Sequence, residues 1–471
     1  VTGHPGATHY VVAIDSGSQS TKVLVVDQHG RVHASAQQPL RAYDTSVRGQ
    51  VVHPDDDIWD SIAAVCTEAL DAFAGDRALI VGVGLCTIRF CRALLDDDGL
   101  LIEPMLSWMD ERVSRAHIDE GGTRYVTTSS GYIAHRLTGE RRDAAANYQG
   151  VWPIDQKTWR WSEDPESYTA AGIRPDQLFE LVDPGGALGT VTAQAALSTG
   201  LPEGLPVFAT ANDKAVEALG SGVRSDGDLV LSLGTYITAM STGPFASATE
   251  SHWVNFACEP GRYLYESGGI RRGMWTVSWW RQLLADGGEL SEDDLNRGAE
   301  KIPPGSDGLF TLLDWLAPGD APQRRGAMIG FDGSQGRFHV HRSILEGIAL
   351  TMREHVEAME EGLQRQFREI TVSGGGSRSD LMMQIVSDVF GRPARRMRVT
   401  DAAGLGAAIC AMVGSGHHAD WDAAAAGMVA VRDRFHPDAT RTAVYDEIGR
   451  KYSTLHSFTD PMFHEIGLIS R

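Results

Sequence analysis

The chain has 471 residues, of which 42% are hydrophobic and 22% charged, a balance that excludes collagen-like and disordered classes and a length that predicts two large domains. With 62 Asp and Glu against 42 Lys and Arg, the formal charge is −20 and the pI near 5.2, which argues against a nucleic-acid partner. An anionic substrate must then be met by local donors and a divalent cation rather than by net charge.

Residues 1–10 carry His, Pro and Gly where a signal peptide needs an apolar run, and nowhere do about 18 apolar residues follow one another. The expectation is a cytoplasmic protein with no membrane partner. Cys66, Cys86, Cys91, Cys258 and Cys410 form neither CxxC pairs nor a zinc spacing, so they read as free thiols of a reducing compartment.

The first predicted element is a strand over residues 11–14, closed by the turn-rich Asp15-Ser16-Gly17-Ser18-Gln19-Ser20. A second strand over 22–27, a turn at His29-Gly30 and a third strand over 31–37 complete a meander with a polar, glycine-bearing tip. The pattern returns in the second half as a strand over 228–233, a tip at Gly234-Thr235 and a strand over 236–241. Such repetition predicts duplicated domains, and the small residues Ala218-Leu219-Gly220-Ser221-Gly222 suit a hinge between residues 1–221 and 222–471.

Ser343-Ile344-Leu345-Glu346 resembles a capping box opening a helix whose core face is Leu345, Ile348, Met352, Val356, Met359 and Leu363. A strand over 370–372 then runs into Ser373-Gly374-Gly375-Gly376-Ser377, followed by a helix over 381–390 stopped by Gly391 and Pro393. The tail after about Gly414 is expected to form a terminal helix pair on the second domain. The architecture predicted throughout is mixed α/β.

Three segments carry chemistry. In the first hairpin, glycine lets backbone N–H groups approach phosphate oxygens, hydroxyls donate, and Lys22 supplies charge. Asp15, at the end of a buried strand, suits Mg²⁺ held through water. Each hairpin alone is also readable as an ordinary polar turn. Two together point to a nucleotide held between duplicated domains, as in the actin-like ATPase architecture. The glycines at 374–376 lack the Walker A and Rossmann spacings and fit adenosine contact better.

The order of these loops, with Asp213 between them, resembles the FGGY family of carbohydrate kinases. Trp108-Met109-Asp110-Glu111-Arg112, Arg136-Leu137-Thr138-Gly139-Glu140, Arg325-Gly326-Ala327, Arg342 with Leu345-Glu346-Gly347, and Gly404-Leu405-Gly406-Ala407-Ala408 agree. The resemblance spans roughly residues 11–416. It implies an α/β fold of two duplicated actin-like (ribonuclease H-like) domains that close on ATP, Mg²⁺ and a sugar in the cleft between them, and a homodimer. By position it implies Gly17, Ser18, Gln19 and Lys22 in the first phosphate loop, Gly234 and Thr235 in the second, and Gly273, Gly375 and Ser379 along the nucleotide.

Asp213 falls on the family's catalytic base; the alternative is an Asp that simply caps the helix that follows. Arg89 falls where glycerol-kinase-like members carry an arginine, and Trp108, Asp110 and Arg112 fall where related ketose kinases read hydroxyls, although Asp110 and Arg112 could instead be a structural ion pair and Trp108 a core residue. Lys214 beside the base touches substrate, pairs with a carboxylate or is a solvated helix residue. Lys214, Phe90 and Tyr236 depart from the family pattern and leave the sugar unread. The implied reaction is ATP-dependent phosphorylation of a small sugar hydroxyl, on a ketopentose (xylulose- or ribulose-like) or a small polyol. The alternatives are a kinase of a non-sugar hydroxylated signal molecule and a non-catalytic nucleotide-dependent sugar sensor.

Overall fold

The computed structural model describes residues 7–119, 121–246, 248–284 and 290–469; residues 1–6, part of the segment expected to lack an apolar leader, lie outside them. Strand β1 (Tyr10–Ser16) forms where the apolar run needs burial on both faces. It is followed by β2 (Ser20–Asp27) and β3 (Val32–Pro39), then helix α1 (Asp57–Asp71), then β4 (Ile80–Thr87). Strands β5 (Ala187–Thr190) and β6 (Pro206–Ala209) complete a sheet of order β5-β6-β4-β1-β2-β3. Helix α2 (Asp213–Gly220) leaves it.

The second half repeats this wiring. Strands β7 (Leu229–Leu233), β8 (Ile237–Gly243), β9 (His252–Phe256) and β10 (Tyr263–Ile270) precede helices α3 (Gly273–Leu284) and α4 (Arg337–Leu363). Then come β11 (Ile370–Ser373), α5 (Asp380–Phe390), β12 (Ala394–Met397), α6 (Ala402–Gly414) and β13 (Val431–Phe435), giving the order β9-β10-β8-β7-β11-β12-β13. In each sheet a three-strand antiparallel meander (β1-β2-β3; β7-β8-β10) adjoins parallel strands (β4 and β6; β11 and β12). The duplication expected from the two hairpins is therefore visible in the sheet order, with β9 an added edge strand of the second sheet.

Helix α4 starts at Arg337, six residues before the expected capping box. Ser343 lies mid-helix, its hydroxyl bonded to Val340 O and Thr311 Oγ1, and Glu346 pairs with Arg342 instead of reaching back to a cap. The Ser-x-x-Glu spacing also fits an interior polar cluster, which is why it misled. The terminal helix pair is present as α7 (Ala439–Tyr452) and α8 (Leu455–Ile469), with Tyr452 donating to Thr311 O at 2.8 Å. Among the described residues no helix is long and apolar enough to cross a membrane.

The two halves meet through α2 and α6. A Cβ on Gly406 would stand 2.0 Å from Val216 O, and one on Gly220 would stand 1.9 Å from Ala402 O. Only glycine permits backbones this close. Helix α6 also seats on β1 and β4, where a Cβ on Gly84 would lie 2.1 Å from Ala407 O, so Val11, Ala13 and Leu24 share one core with Leu405 and Ala408.

Candidate active site

Asp213 is delivered by the end of β6. Thr210 Oγ1 donates to Leu85 O at 2.6 Å, fixing the strand end beside β4. Asn212 caps α2, its Oδ1 accepting from Ala215 N–H at 3.0 Å. The capping duty open to Asp213 thus belongs to its neighbour. Asp213 lines a cavity of about 800 Å³, and its buried Oδ1 accepts no hydrogen bond from the described residues. The nearest cation is Arg89, whose Nε stands 3.6 Å away. Burial pushes the Asp213 carboxyl up, and Arg89 and Lys214 only partly offset it.

The first hairpin forms one wall. Gly17 N–H donates to Ser20 O at 3.0 Å, and Tyr43 OH supports the tip through Ser18 O at 2.9 Å. Gly17, Ser18, Gln19, Ser20 and Lys22 all line the cavity. Asp15 and Lys22 are register partners in β1 and β2, and Lys22 lies 3.3 Å from Asp401. Burial and the Asp401 charge push the Asp15 carboxyl up to about 7, against the pull of Lys22. A buried carboxylate facing this much negative charge favours a cation.

Gly234, Thr235 and Tyr236 line the opposite wall. Helix α3 backs this turn, Gly273 N–H donating to Thr235 O at 2.8 Å and Met274 N–H to Gly234 O at 3.2 Å. Gly273 therefore holds the second hairpin from behind, and a Cβ there would meet Ile237 at 2.2 Å. Gly374 (φ 78°) brings the third loop against the second, a Cβ there lying 2.6 Å from Leu233 O. Gly375 is open, while Ser379 caps α5 by accepting from Met382 N–H at 3.2 Å. Gly273 is bonded to the second hairpin, and neither it nor Gly375 nor Ser379 lines the cavity.

The expected sugar-reading residues divide. Arg89 and Trp108 line the cavity, as do Phe90, Tyr236, Trp253 and Arg271. Asp110 and Arg112 do not. Asp110 is buried, accepting from Val51 N–H at 2.8 Å and from Arg112 N–H and Nε at 2.9 Å each, so the pair staples its own loop. Lys214 lines the cavity, yet Nζ pairs with Glu217 at 2.8 Å and donates to Ser232 Oγ at 3.0 Å.

Two carboxylates that sequence reasoning missed complete the charge pattern. Glu266 on β10 is fully buried and is gripped by both terminal nitrogens of Arg89 and by Asn255 Nδ2. Glu217, one turn after Asp213, accepts from Lys214 and from Ser373 Oγ at 2.6 Å. The only sequence signal for Glu217 was its i, i+3 spacing from Lys214; for Glu266 it was a lone charge inside a strand. Among the described residues no three His, Cys, Asp or Glu side chains gather to cage a metal.

The N-terminal domain of the FGGY family of carbohydrate kinases matches residues 10–120, and its C-terminal domain matches residues 229–415. A protein named uncharacterized sugar kinase YgcE, from Escherichia coli (strain K12), is 44% identical over 451 residues, covering 94% of this chain and 92% of that one. The xylulose kinase of Bacillus subtilis (strain 168) is 23% identical over 490 residues, covering 96% and 97%. The crystal structure of xylulose kinase from Rhodospirillum rubrum superposes with a TM-score of 0.82 at 27% identity, covering 97% of this chain and 100% of that chain. Plasmodium falciparum glycerol kinase with ADP shares the fold at a TM-score of 0.80 and 16% identity, covering 95% and 98%. Duplicated α/β domains, paired hairpins and these matches agree that the chain is a sugar kinase, a phosphotransferase, and belongs to the FGGY family of carbohydrate kinases.

Proposed function

We propose that this chain transfers the terminal phosphoryl group of ATP to a hydroxyl of a ketopentose of the xylulose or ribulose kind, or of a small polyol, with Asp213 as general base. The observation that carries the reading is the buried Asp213 Oδ1, which lacks a hydrogen-bond partner among the described residues and lines the cavity shared by the two hairpins. Phosphoryl transfer needs an aligned hydroxyl and neutralised charge more than covalent chemistry. Asp213 would orient the acceptor hydroxyl and take its proton. The backbone N–H groups around Gly17 and Gly234, together with Lys22, would cradle the phosphates. Arg89, clamped by Glu266, presents a fixed cation beside the base. Phe90, Trp108 and Tyr236 offer apolar faces for sugar C–H groups.

Mg²⁺ fits the residues present. Asp15 meets surplus negative charge from Asp401, Asp213 and Glu217, and the absence of a full protein cage among the described residues suits an ion that keeps its waters and substrate phosphate oxygens. Asp15 would hold it, and its chemistry there would be charge neutralisation on the transferring phosphate. Relatives named xylulose kinase and glycerol kinase support the acceptor class.

The test is ADP release with a panel of pentuloses, tetritols, pentitols and glycerol. At least one efficient acceptor is expected. Tight ATP binding with no response from any member would sink the assignment of this acceptor class.

A further inference from the structure

The helix that carries Asp213 also carries an ion pair that joins the two halves of the molecule. Lys214 Nζ and Glu217 Oε2 are 2.8 Å apart, with side chains only 14% and 13% exposed. Each also reaches the second sheet, Lys214 donating to Ser232 Oγ at 3.0 Å and Glu217 accepting from Ser373 Oγ at 2.6 Å. Ser232 and Ser373 are register partners on the neighbouring parallel strands β7 and β11. From these strands the chain runs directly into the turns at Gly234-Thr235 and Gly374-Gly375. One ion pair thus bridges the helix of the base to both strands that present the glycine loops.

An exposed Lys–Glu pair contributes little. This one is largely out of water, and every polar member has a partner on another element, the condition under which a polar network fixes geometry. We propose that Lys214 and Glu217 are positioning residues for phosphoryl transfer, coupling Asp213 to the nucleotide loops and setting the charge around the base. The proposal rests on the reading of Asp213 as general base.

The charges give the proposal a sign. Asp213 is faced by Arg89 from the end of β4, Glu266 from β10, Asp15 from β1, and Lys214 and Glu217 from its own helix. The nearby Cys86 and Cys91 thiols stay neutral because burial pushes them up, Cys91 to about 12. Lys214 lowers the Asp213 carboxyl and Glu217 raises it. Removing one charge at a time should therefore move the base in opposite directions, which a purely structural staple would not do.

The experiment measures kcat/KM against pH for the intact chain at saturating MgATP, with the panel sugar of highest turnover as acceptor. The acid limb reports the free base. It is expected to move to higher pH in Lys214→Met, to lower pH in Glu217→Gln, and to stay in place in Lys214→Arg. Ser373→Ala keeps both charges and removes one hydrogen bond; it is expected to lower kcat about 10-fold through misplacement of the base with the limb unmoved. Limbs that stay fixed, limbs that move the same way in the two charge variants, or an unchanged kcat in Ser373→Ala overturn the proposal. Asp213→Asn separates the two ideas. If it is inactive and the limbs are fixed, the base reading stands and the coupling fails; if it turns over like the wild type, both fall.

Discussion

Arg89, from the first domain, grips Glu266, from the second, with both terminal nitrogens, Nη2 lying 3.0 Å from Oε2, while its Nε faces Asp213 Oδ1 at 3.6 Å. Breaking a buried pair from one side costs about 3–5 kcal/mol because a charge is left behind. Glu266→Gln is therefore expected to lower the urea midpoint markedly. It should also lower kcat, since the released guanidinium turns toward the base and pulls its carboxyl down. A midpoint and kcat both equal to wild type would show that the clamp carries neither role.

Asp213→Asn should reduce kcat by about 10²–10⁴-fold, the usual worth of general-base help. ATP affinity, followed by calorimetry, should change little, because the group acts on the acceptor. Loss of nucleotide binding in this variant would instead assign Asp213 to the phosphate or its cation.

The Asp15 carboxyl titrates at about 7 when folded, above its ordinary 3.8. Between those values the folded chain holds a proton that the unfolded chain has shed, so this group's contribution to stability falls as pH rises through that window. A divalent cation competes for the same oxygens. The Mg²⁺ concentration giving half-maximal ADP release should therefore fall as pH rises through about 7. Asp15→Asn should raise that concentration and remove its pH dependence in that range, and adding EDTA to the wild type should abolish ADP release.

One glycine at the domain junction and one in the terminal helix pair predict substitutions of opposite sign. Gly406→Ala forces a methyl toward Val216 O, 2.0 Å away, and overpacking of this kind costs about 1–3 kcal/mol. Gly449→Ala in α7 meets nothing nearer than Leu350 at 3.9 Å and should stabilise the helix by about 0.5–1 kcal/mol. Thermal midpoints of the two variants measure both.

Much of the site was legible because its parts are local. A hairpin tip such as Asp15 to Ser20, a strand ending on Asp213 and a glycine run before a helix are each written in a few adjacent residues. The fold was legible because the same meander occurs twice. What the sequence hid is pairing across distance. Nothing near Glu266 announces Arg89, 177 residues away, and nothing near Asp401 announces Lys22. Asp110 and Arg112 stand off the cavity, their carboxylate meeting both the guanidinium and the N–H of a residue two positions on, the ion pair that the sequence offered as the alternative to sugar reading. The helix expected at Ser343 starts earlier because an isolated polar spacing cannot distinguish a cap from an interior polar contact.

The division of labour between Asn212 and Asp213 has a practical use. Because the cap of α2 comes from Asn212, and Arg89 keeps Glu266 as its partner, replacing the neighbouring carboxylate by its amide leaves the cap of the helix in place. An Asp213→Asn protein should therefore remain a folded, ATP-loaded receptacle that admits its acceptor and cannot spend it. Incubated with a cell extract, washed and analysed by mass spectrometry, it would act as bait for the one molecule its sequence leaves unnamed.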